Sequence, residues 1–194
     1  RAIAGPARAH DGLLPPTPSP SRPPRLHWSP LYPSVALTTL ASLLLELSLT
    51  RIISVVFYYH FAFLATSIAL FGLGAGGVFS YVIADQKGNL FLKLGRLSAA
   101  NSVLVVCALA AVVWQKEELT NARLAFIYFA TALPFFFSGT IISLAISEGM
   151  ERVDRVYFFD LLGAAGGCLL LVPLLEGVGG PNTTIVTALL FASA

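Results

Sequence analysis

The sequence predicts an all-α fold, a bundle of about six helices that cross a membrane, and three observations lead to this prediction. Apolar residues make up 56% of the 194 residues and charged residues only 11%, whereas about 25% of a soluble domain is charged. The mean hydropathy is +0.79. The apolar residues form continuous runs of about twenty, the length of a membrane-spanning helix. A transmembrane β-barrel would instead show alternating segments of about ten residues.

The same composition argues against several classes of function. Twelve basic and ten acidic side chains are too few to give a soluble enzyme of this size its polar surface. The formal net charge of +2 is too small to indicate a nucleic-acid partner. Cys107 and Cys168 lie in apolar runs with no Cys or His nearby, so we expect neither a disulfide nor a metal site. The lipid bilayer is the first predicted partner.

Residues 1–33 are predicted to form an extended, Pro- and Arg-rich tail. They hold nine of the twelve prolines and four arginines against one acidic residue. Such a segment lacks the backbone donors and the apolar side chains from which a core is built. It does not fit a signal peptide, because no apolar stretch with a small-residue cleavage site follows at the right distance. We expect a partner subunit to hold this tail.

Residues 34–194 form the predicted membrane domain. Its first 51 residues contain only Glu46 and Arg51 as charged residues. As one helix they would be about 77 Å long, more than twice the hydrocarbon thickness of about 30 Å. The chain therefore has to turn back, and the tyrosines before His60 suit a turn at the membrane interface. The predicted spans are about 34–58, 60–84, 97–114, 124–147, 159–175 and 182–194.

The basic residues predict the orientation of these spans. One side of the membrane would carry nine of them, four in the tail and five in the loops, and the opposite side only two. Because basic residues concentrate in cytoplasmic loops, we expect the N-terminus in the cytoplasm. The five loop residues on the basic side are Lys87, Lys93, Arg96, Arg152 and Arg155; the two on the other side are Lys116 and Arg123.

Two glycine clusters lie inside predicted spans. The first satisfies the spacing G-x-G-x-x-G of dinucleotide-binding loops, but it has neither the preceding strand nor the water-facing crevice that such a site needs. Small residues four apart instead let membrane helices approach closely. We therefore predict helix packing and no cofactor, and we expect the two clusters to meet each other. The glycines concerned are Gly72, Gly74, Gly76 and Gly77 in the first cluster and Gly163, Gly166 and Gly167 in the second.

Charged residues inside the spans are the candidates for a polar site. Glu46 lies near the middle of its span, where a charge costs about 2.5–3.5 kcal/mol, so it either fixes helix register or takes part in proton transfer or transport. Arg51 lies five residues after Glu46 and about 140° further around the helix, so the two residues do not form an i,i+4 pair. Our hypothesis is an ion pair between Arg51 and Glu176.

Two further polar residues lie near predicted span ends. His60 is expected to be an interfacial polar residue, with a proton-active group as the alternative. Asp160 is expected to cap the positive end of the fifth helix, with an ion pair to Arg152 or Arg155 as the alternative. Neither residue forms a catalytic constellation with others, and we predict no catalytic, cofactor-binding or metal-binding residues.

Four segments together resemble a known family. They are ELSLTR at 46–51, leading into FYYHFAFL at 57–64; LFGLGAGG at 70–77; YFFDLLGAAGG at 157–167; and GGPN at 179–182. In this order and spacing they resemble the membrane part of bacterial spermidine-synthase-like proteins. There a bundle similar to half or more of a major facilitator transporter precedes a cytoplasmic aminopropyltransferase-like domain. The resemblance covers about residues 37–194, and it implies that the chain lies in a bacterial inner membrane.

The resemblance implies a parent protein that is linked to polyamine chemistry, and it leaves three functions open for this chain. The first is a non-catalytic membrane domain that serves as an anchor or as a transporter-like half. The second is an accessory subunit that binds a larger membrane complex through its tail and helix faces. The third is a transporter of a small solute or a polyamine. Aminopropyl transfer needs a soluble Rossmann-like domain, which is not visible here, so we do not expect this chain to be an enzyme.

Overall fold

The structure, a computed structural model, describes residues 28–56, 60–85, 89–114, 121–149 and 152–194, and all regular secondary structure within these ranges is helical. The predicted all-α fold is therefore confirmed for the described residues. The six helices are α1 (Trp28–Val56), α2 (His60–Ala84), α3 (Leu90–Val113), α4 (Asn121–Glu148), α5 (Val153–Val178) and α6 (Gly180–Ser193).

Five helices, α1 to α5, are long and apolar enough to cross a membrane. Their membrane-spanning segments have 23 to 27 residues, and about 20 residues suffice for the hydrocarbon core. These five helices indicate that the chain is a multi-pass integral membrane protein. The sixth helix has 14 residues, which gives a length of about 21 Å, less than the hydrocarbon thickness of about 30 Å.

Three helices begin six or seven residues earlier than predicted. α1 begins at Trp28 instead of residue 34, α3 at Leu90 instead of 97, and α5 at Val153 instead of 159. Hydropathy marks only the part of a helix that lies in hydrocarbon, whereas helical hydrogen bonding continues into the polar region. Residues 28–33, which we assigned to the tail, are therefore helical, and residues 1–27 lie outside the described residues.

Five of the six helices enclose one core. The helices α1, α2, α4, α3 and α6 follow one another around a closed ring, and α1 also contacts α4 across it. Every helix of this ring contributes to the central cluster, whereas α5 contributes nothing to it. We call this cluster the ring core; it consists of Ala41, Leu45, Leu49, Ala69, Val105, Phe135, Ala188 and Phe191.

The fifth helix lies outside the ring. It packs mainly on α1 and makes only small contacts with α4 and α6. In its membrane-spanning window 11% of the residues are buried, compared with 50% for both α1 and α4.

Two smaller clusters mark the two ends of the bundle. One joins the beginnings of α1, α3 and α5 to the end of α4, and we name this the Leu31 end. The other joins the ends of α1 and α3 to the beginnings of α2 and α4, and we name this the Ile53 end. Alternate helices therefore run in opposite directions, as short connections between spans require.

Candidate functional site

The first glycine cluster forms the contact between α2 and α4. A Cβ atom at Gly76 would overlap the carbonyl oxygen of Phe136, and one at Gly72 would lie 2.8 Å from the carbonyl oxygen of Ala132. The approach is mutual, because a Cβ at Gly139 of α4 would overlap the backbone of Leu73. Only glycine allows the two backbones to come this close, so these three positions act in helix packing.

Hydroxyl groups reinforce the same contact. The Thr140 hydroxyl donates to the carbonyl oxygen of Gly76 at 3.1 Å. Ser80 and Ser143 share a hydrogen bond of 2.8 Å across the two helices. Interhelical hydrogen bonds of this kind add to van der Waals packing in membrane bundles. The contact between α2 and α4 therefore combines close backbone approach with polar links.

The second glycine cluster packs against α1. A Cβ at Gly163 would overlap the carbonyl oxygen of Ala36, and one at Gly167 would lie 3.0 Å from the carbonyl oxygen of Leu40. Gly166 lies at the edge of this contact, where a Cβ would be 3.3 Å from the Leu40 Cδ1 atom. The small residues of α5 thus hold it to the outside of the ring.

The predicted meeting of the two glycine clusters does not occur. The first cluster faces α4 and the second faces α1, and both partner helices belong to the ring. The Cβ sides of Gly74 and Gly77 face away from both contacts, because a Cβ at these positions would meet no atom within 4 Å. A face of a helix is only about 100° wide, and residues two and five positions after Gly72 point away from it.

Asp160 does not cap α5. This helix begins seven residues earlier, at Val153, which moves Asp160 to the third turn and puts Asp154 in the first. The Thr39 hydroxyl of α1 instead donates a hydrogen bond to the Asp160 carboxylate. The preceding residue, Phe159, stacks on Tyr32 of α1 with ring centroids 5.2 Å apart. Asp160 therefore belongs to the contact between α1 and α5.

The hypothetical ion pair between Arg51 and Glu176 is not formed in the part of the chain that the structure describes. Arg51 lies on α1 beside Leu175 of α5, so the two helices do meet at this level. Both charged side chains are exposed, and water or lipid headgroups compete with an exposed pair.

The structure assigns no role to two further predicted polar residues. Glu46 is half-buried on α1 and makes no hydrogen bond to another described residue, so its role stays a prediction. His60 is the first residue of α2, and its side chain lies outside the described residues.

A buried polar layer, which the sequence analysis missed, lies beside the ring core. Asn101 of α3 is fully buried, and its Nδ2 atom donates to the Ser138 hydroxyl of α4 at 2.9 Å. Ser98 and Ser102, which are one turn apart on α3, donate to carbonyl oxygens of α6, Ser102 at 2.8 Å. The only signal in the sequence is the spacing of these three polar residues in an apolar run.

Some buried side-chain oxygen atoms lack a hydrogen-bond partner within the described ranges. Among them are the Asn101 Oδ1 atom of this layer and the Ser48 hydroxyl oxygen of α1. Buried polar groups are normally hydrogen-bonded, and an unpaired one costs about 1–3 kcal/mol. The polar residues of this layer therefore connect α3 to α4 and α6, but the hydrogen-bonding capacity of Asn101 is not fully used within the described ranges.

A cavity of about 360 Å³ opens at the Ile53 end, between α1, α5 and α6. Its walls are apolar except for Arg51, and its lining residues are Arg51, Ile52, Val55, Val56, Leu175, Gly180 and Pro181. The end of α5 and the beginning of α6 frame it because Gly179 joins them with a φ of 84°, which reverses the chain within one residue.

Within the described ranges no three His, Cys, Asp or Glu side chains come together in a way that could hold a metal ion. Cys107 and Cys168 are exposed, free cysteines. The site residues that the structure does organise are therefore polar and small residues between helices.

Comparisons of the chain with protein-family models, with curated proteins and with solved structures find no match. The resemblance to the membrane part of spermidine-synthase-like proteins therefore stays a prediction.

Proposed function

We propose that the chain is a non-catalytic membrane domain whose role is to anchor a larger protein in the bilayer. The observation that carries this proposal is the filled ring core. Leu45, Phe135 and Phe191 come from three different helices and are each at most 2% exposed. A ring of helices whose centre is closed by apolar side chains suits a structural role.

The filled core supports an anchor over a transporter. Transporters bind their substrate near the middle of the membrane, between helices that are broken at that level. Here α1 and α4 run unbroken through the middle of the bundle, and the polar layer at Asn101 is buried among neighbours rather than facing a cavity that would admit a solute.

The proposal includes an orientation and a parent protein. The concentration of basic residues supports an N-terminus in the cytoplasm, and the resemblance supports a bacterial inner membrane. The resemblance of residues 37–194 supports a half-transporter-like bundle, and it implies that a cytoplasmic aminopropyltransferase-like domain acts beside it in a longer protein. On this proposal the present chain supplies membrane attachment to polyamine chemistry.

Reconstituted protein tests the anchor against the transporter. The full chain, fused to a soluble reporter at its C-terminus, is expected to hold the reporter in membranes after extraction with alkaline carbonate. Proteoliposomes that contain the chain are expected to take up labelled spermidine no faster than empty liposomes. Uptake that is lost in Glu46→Gln would overturn the anchor proposal, as would release of the reporter by carbonate.

An accessory subunit is the second candidate, and the outward glycines of α2 favour it. Gly74 and Gly77 leave open space beside their Cα atoms, which would let a helix of another protein approach closely. Site-specific crosslinking from Gly74→Cys, with a cysteine-free background, would distinguish this case. A defined adduct in native membranes supports a subunit, and labelling by lipid-soluble reagents alone supports a solitary anchor.

A further inference from the structure

The structure offers one cavity in which a single cation faces apolar walls. Arg51 is the only charged residue among those that line the 360 Å³ cavity at the Ile53 end. Its guanidinium makes no ion pair or hydrogen bond to another described residue. Glu176 follows Leu175 in the chain, but it does not line the cavity.

The cavity lies at the depth of lipid headgroups. α1 ends at Val56, α5 at Val178, and α6 begins at Gly180, so the three helix ends that surround the cavity share one membrane surface. Arg51 is five residues from the end of α1, which corresponds to about 7.5 Å. An arginine at this depth places its stem along apolar side chains and its guanidinium among polar headgroups.

The walls suit a hydrocarbon chain beside that charge. Val55 is 77% exposed and Val56 is 48% exposed, and both face the cavity together with Leu175. A guanidinium binds phosphate through two parallel N–H donors. The cavity therefore combines a phosphate donor with an apolar surface, which are the two halves of a phospholipid.

We propose that the cavity formed by the ends of α1 and α5 and the beginning of α6 binds one phospholipid. Arg51 donates hydrogen bonds to the phosphodiester oxygens, and an acyl chain lies against Val55 and Leu175. The site goes beyond membrane anchoring as such, because it selects one lipid molecule from the surrounding bilayer.

Native mass spectrometry of the full chain in detergent, titrated with phosphatidylglycerol, tests this site. We expect one lipid to bind more tightly than the rest, and Arg51→Gln to weaken that binding about tenfold, as the loss of a charged hydrogen bond does. Arg51→Lys is expected to be intermediate, because it keeps the charge and loses the paired donors. Val55→Trp, which leaves Arg51 in place, is expected to weaken lipid binding because the larger side chain fills the space for the acyl chain.

Arg96→Gln is the matched control, because Arg96 is an exposed arginine of α3 near the Leu31 end. Equal weakening in this variant would overturn the proposal, since the effect would then be one of net charge. Unchanged binding in Arg51→Gln would also overturn it, provided that circular dichroism and the elution volume show a folded bundle. Inorganic phosphate alone is expected not to displace the lipid; displacement at equal concentration would assign the site to free phosphate instead.

Discussion

The two glycine contacts of this bundle use the same kind of residue in different surroundings. Gly72 and Gly76 hold α2 to α4, and both of these helices belong to the ring around the core. Gly163 and Gly167 hold α5 to α1, and α5 has little other contact with the bundle. The first contact is part of the core structure, whereas the second attaches a peripheral helix.

The polar links differ in the same way. Between α2 and α4 they are hydroxyl groups that bond to a carbonyl oxygen and to each other. Between α1 and α5 a carboxylate, Asp160, accepts from Thr39. A small-residue pattern therefore predicts that two helices approach closely, but it does not tell whether the contact is central or peripheral. The following changes would test this difference.

Gly76→Ala is expected to have the largest effect. The added methyl group overlaps the carbonyl oxygen of Phe136, and neither helix can move away without opening the ring. We expect the free energy of unfolding to fall by about 3 kcal/mol, the upper part of the range for overpacking. Titration with sodium dodecyl sulfate, followed by circular dichroism, measures it.

Gly77→Ala is the control for this change, because it adds the same methyl group one residue away, where no atom lies within 4 Å. It should leave the stability unchanged or slightly raise it, since alanine favours helix more than glycine does. Equal losses in the two variants would mean that the contact between α2 and α4 is not as close as described.

Gly163→Ala is expected to have a smaller effect and to lower the free energy of unfolding by about 1–2 kcal/mol. The methyl group overlaps the carbonyl oxygen of Ala36, but α5 can shift outward without disturbing the ring. Hydrogen exchange should therefore accelerate in α5 and stay unchanged in α4. Gly177→Ala, on the same helix with open space around it, should change neither helix. Faster exchange in α4 after Gly163→Ala would contradict the peripheral role of α5.

Thr39→Val removes the hydroxyl that donates to Asp160 and keeps the shape of the side chain. We expect the free energy of unfolding to fall by about 1 kcal/mol. As with Gly163→Ala, only the packing of α5 on α1 should weaken. Thr39→Ser keeps the donor and should retain most of the stability. If Thr39→Ser destabilised the protein as much as Thr39→Val, the methyl group rather than the hydrogen bond would be responsible.

The smallest expected effect is the coupling between Asn101 and Ser138 in the ring. A double-mutant cycle with Asn101→Ala and Ser138→Ala should give a coupling energy of about 0.6 kcal/mol, the average for hydrogen bonds between membrane helices. Strictly additive losses would show that this hydrogen bond contributes no coupling energy.

Some of these features could be read from the sequence and others could not. The long apolar runs predicted all six helices, of which five are long enough to cross a membrane, and the four-residue spacing of Gly72 and Gly76 predicted close packing. The partner helices could not be predicted, because a small residue permits an approach from any helix that has a matching surface. Asn101 escaped notice because one uncharged polar residue hardly lowers the hydropathy of a span. Asp160 was misjudged because its helix continues beyond the apolar segment.

The position of α6 between α1 and α3 bears on how the protein matures. A chain that emerges from the ribosome in order presents α1 to α4 first, and these helices cannot close on themselves, since α6 fills the gap between the first and the third. Until α6 arrives, the hydroxyl groups of Ser98 and Ser102 lack the carbonyl acceptors of Ala188 and Phe191. During biogenesis the ring therefore stays open between α1 and α3 until the 14-residue helix α6 packs there.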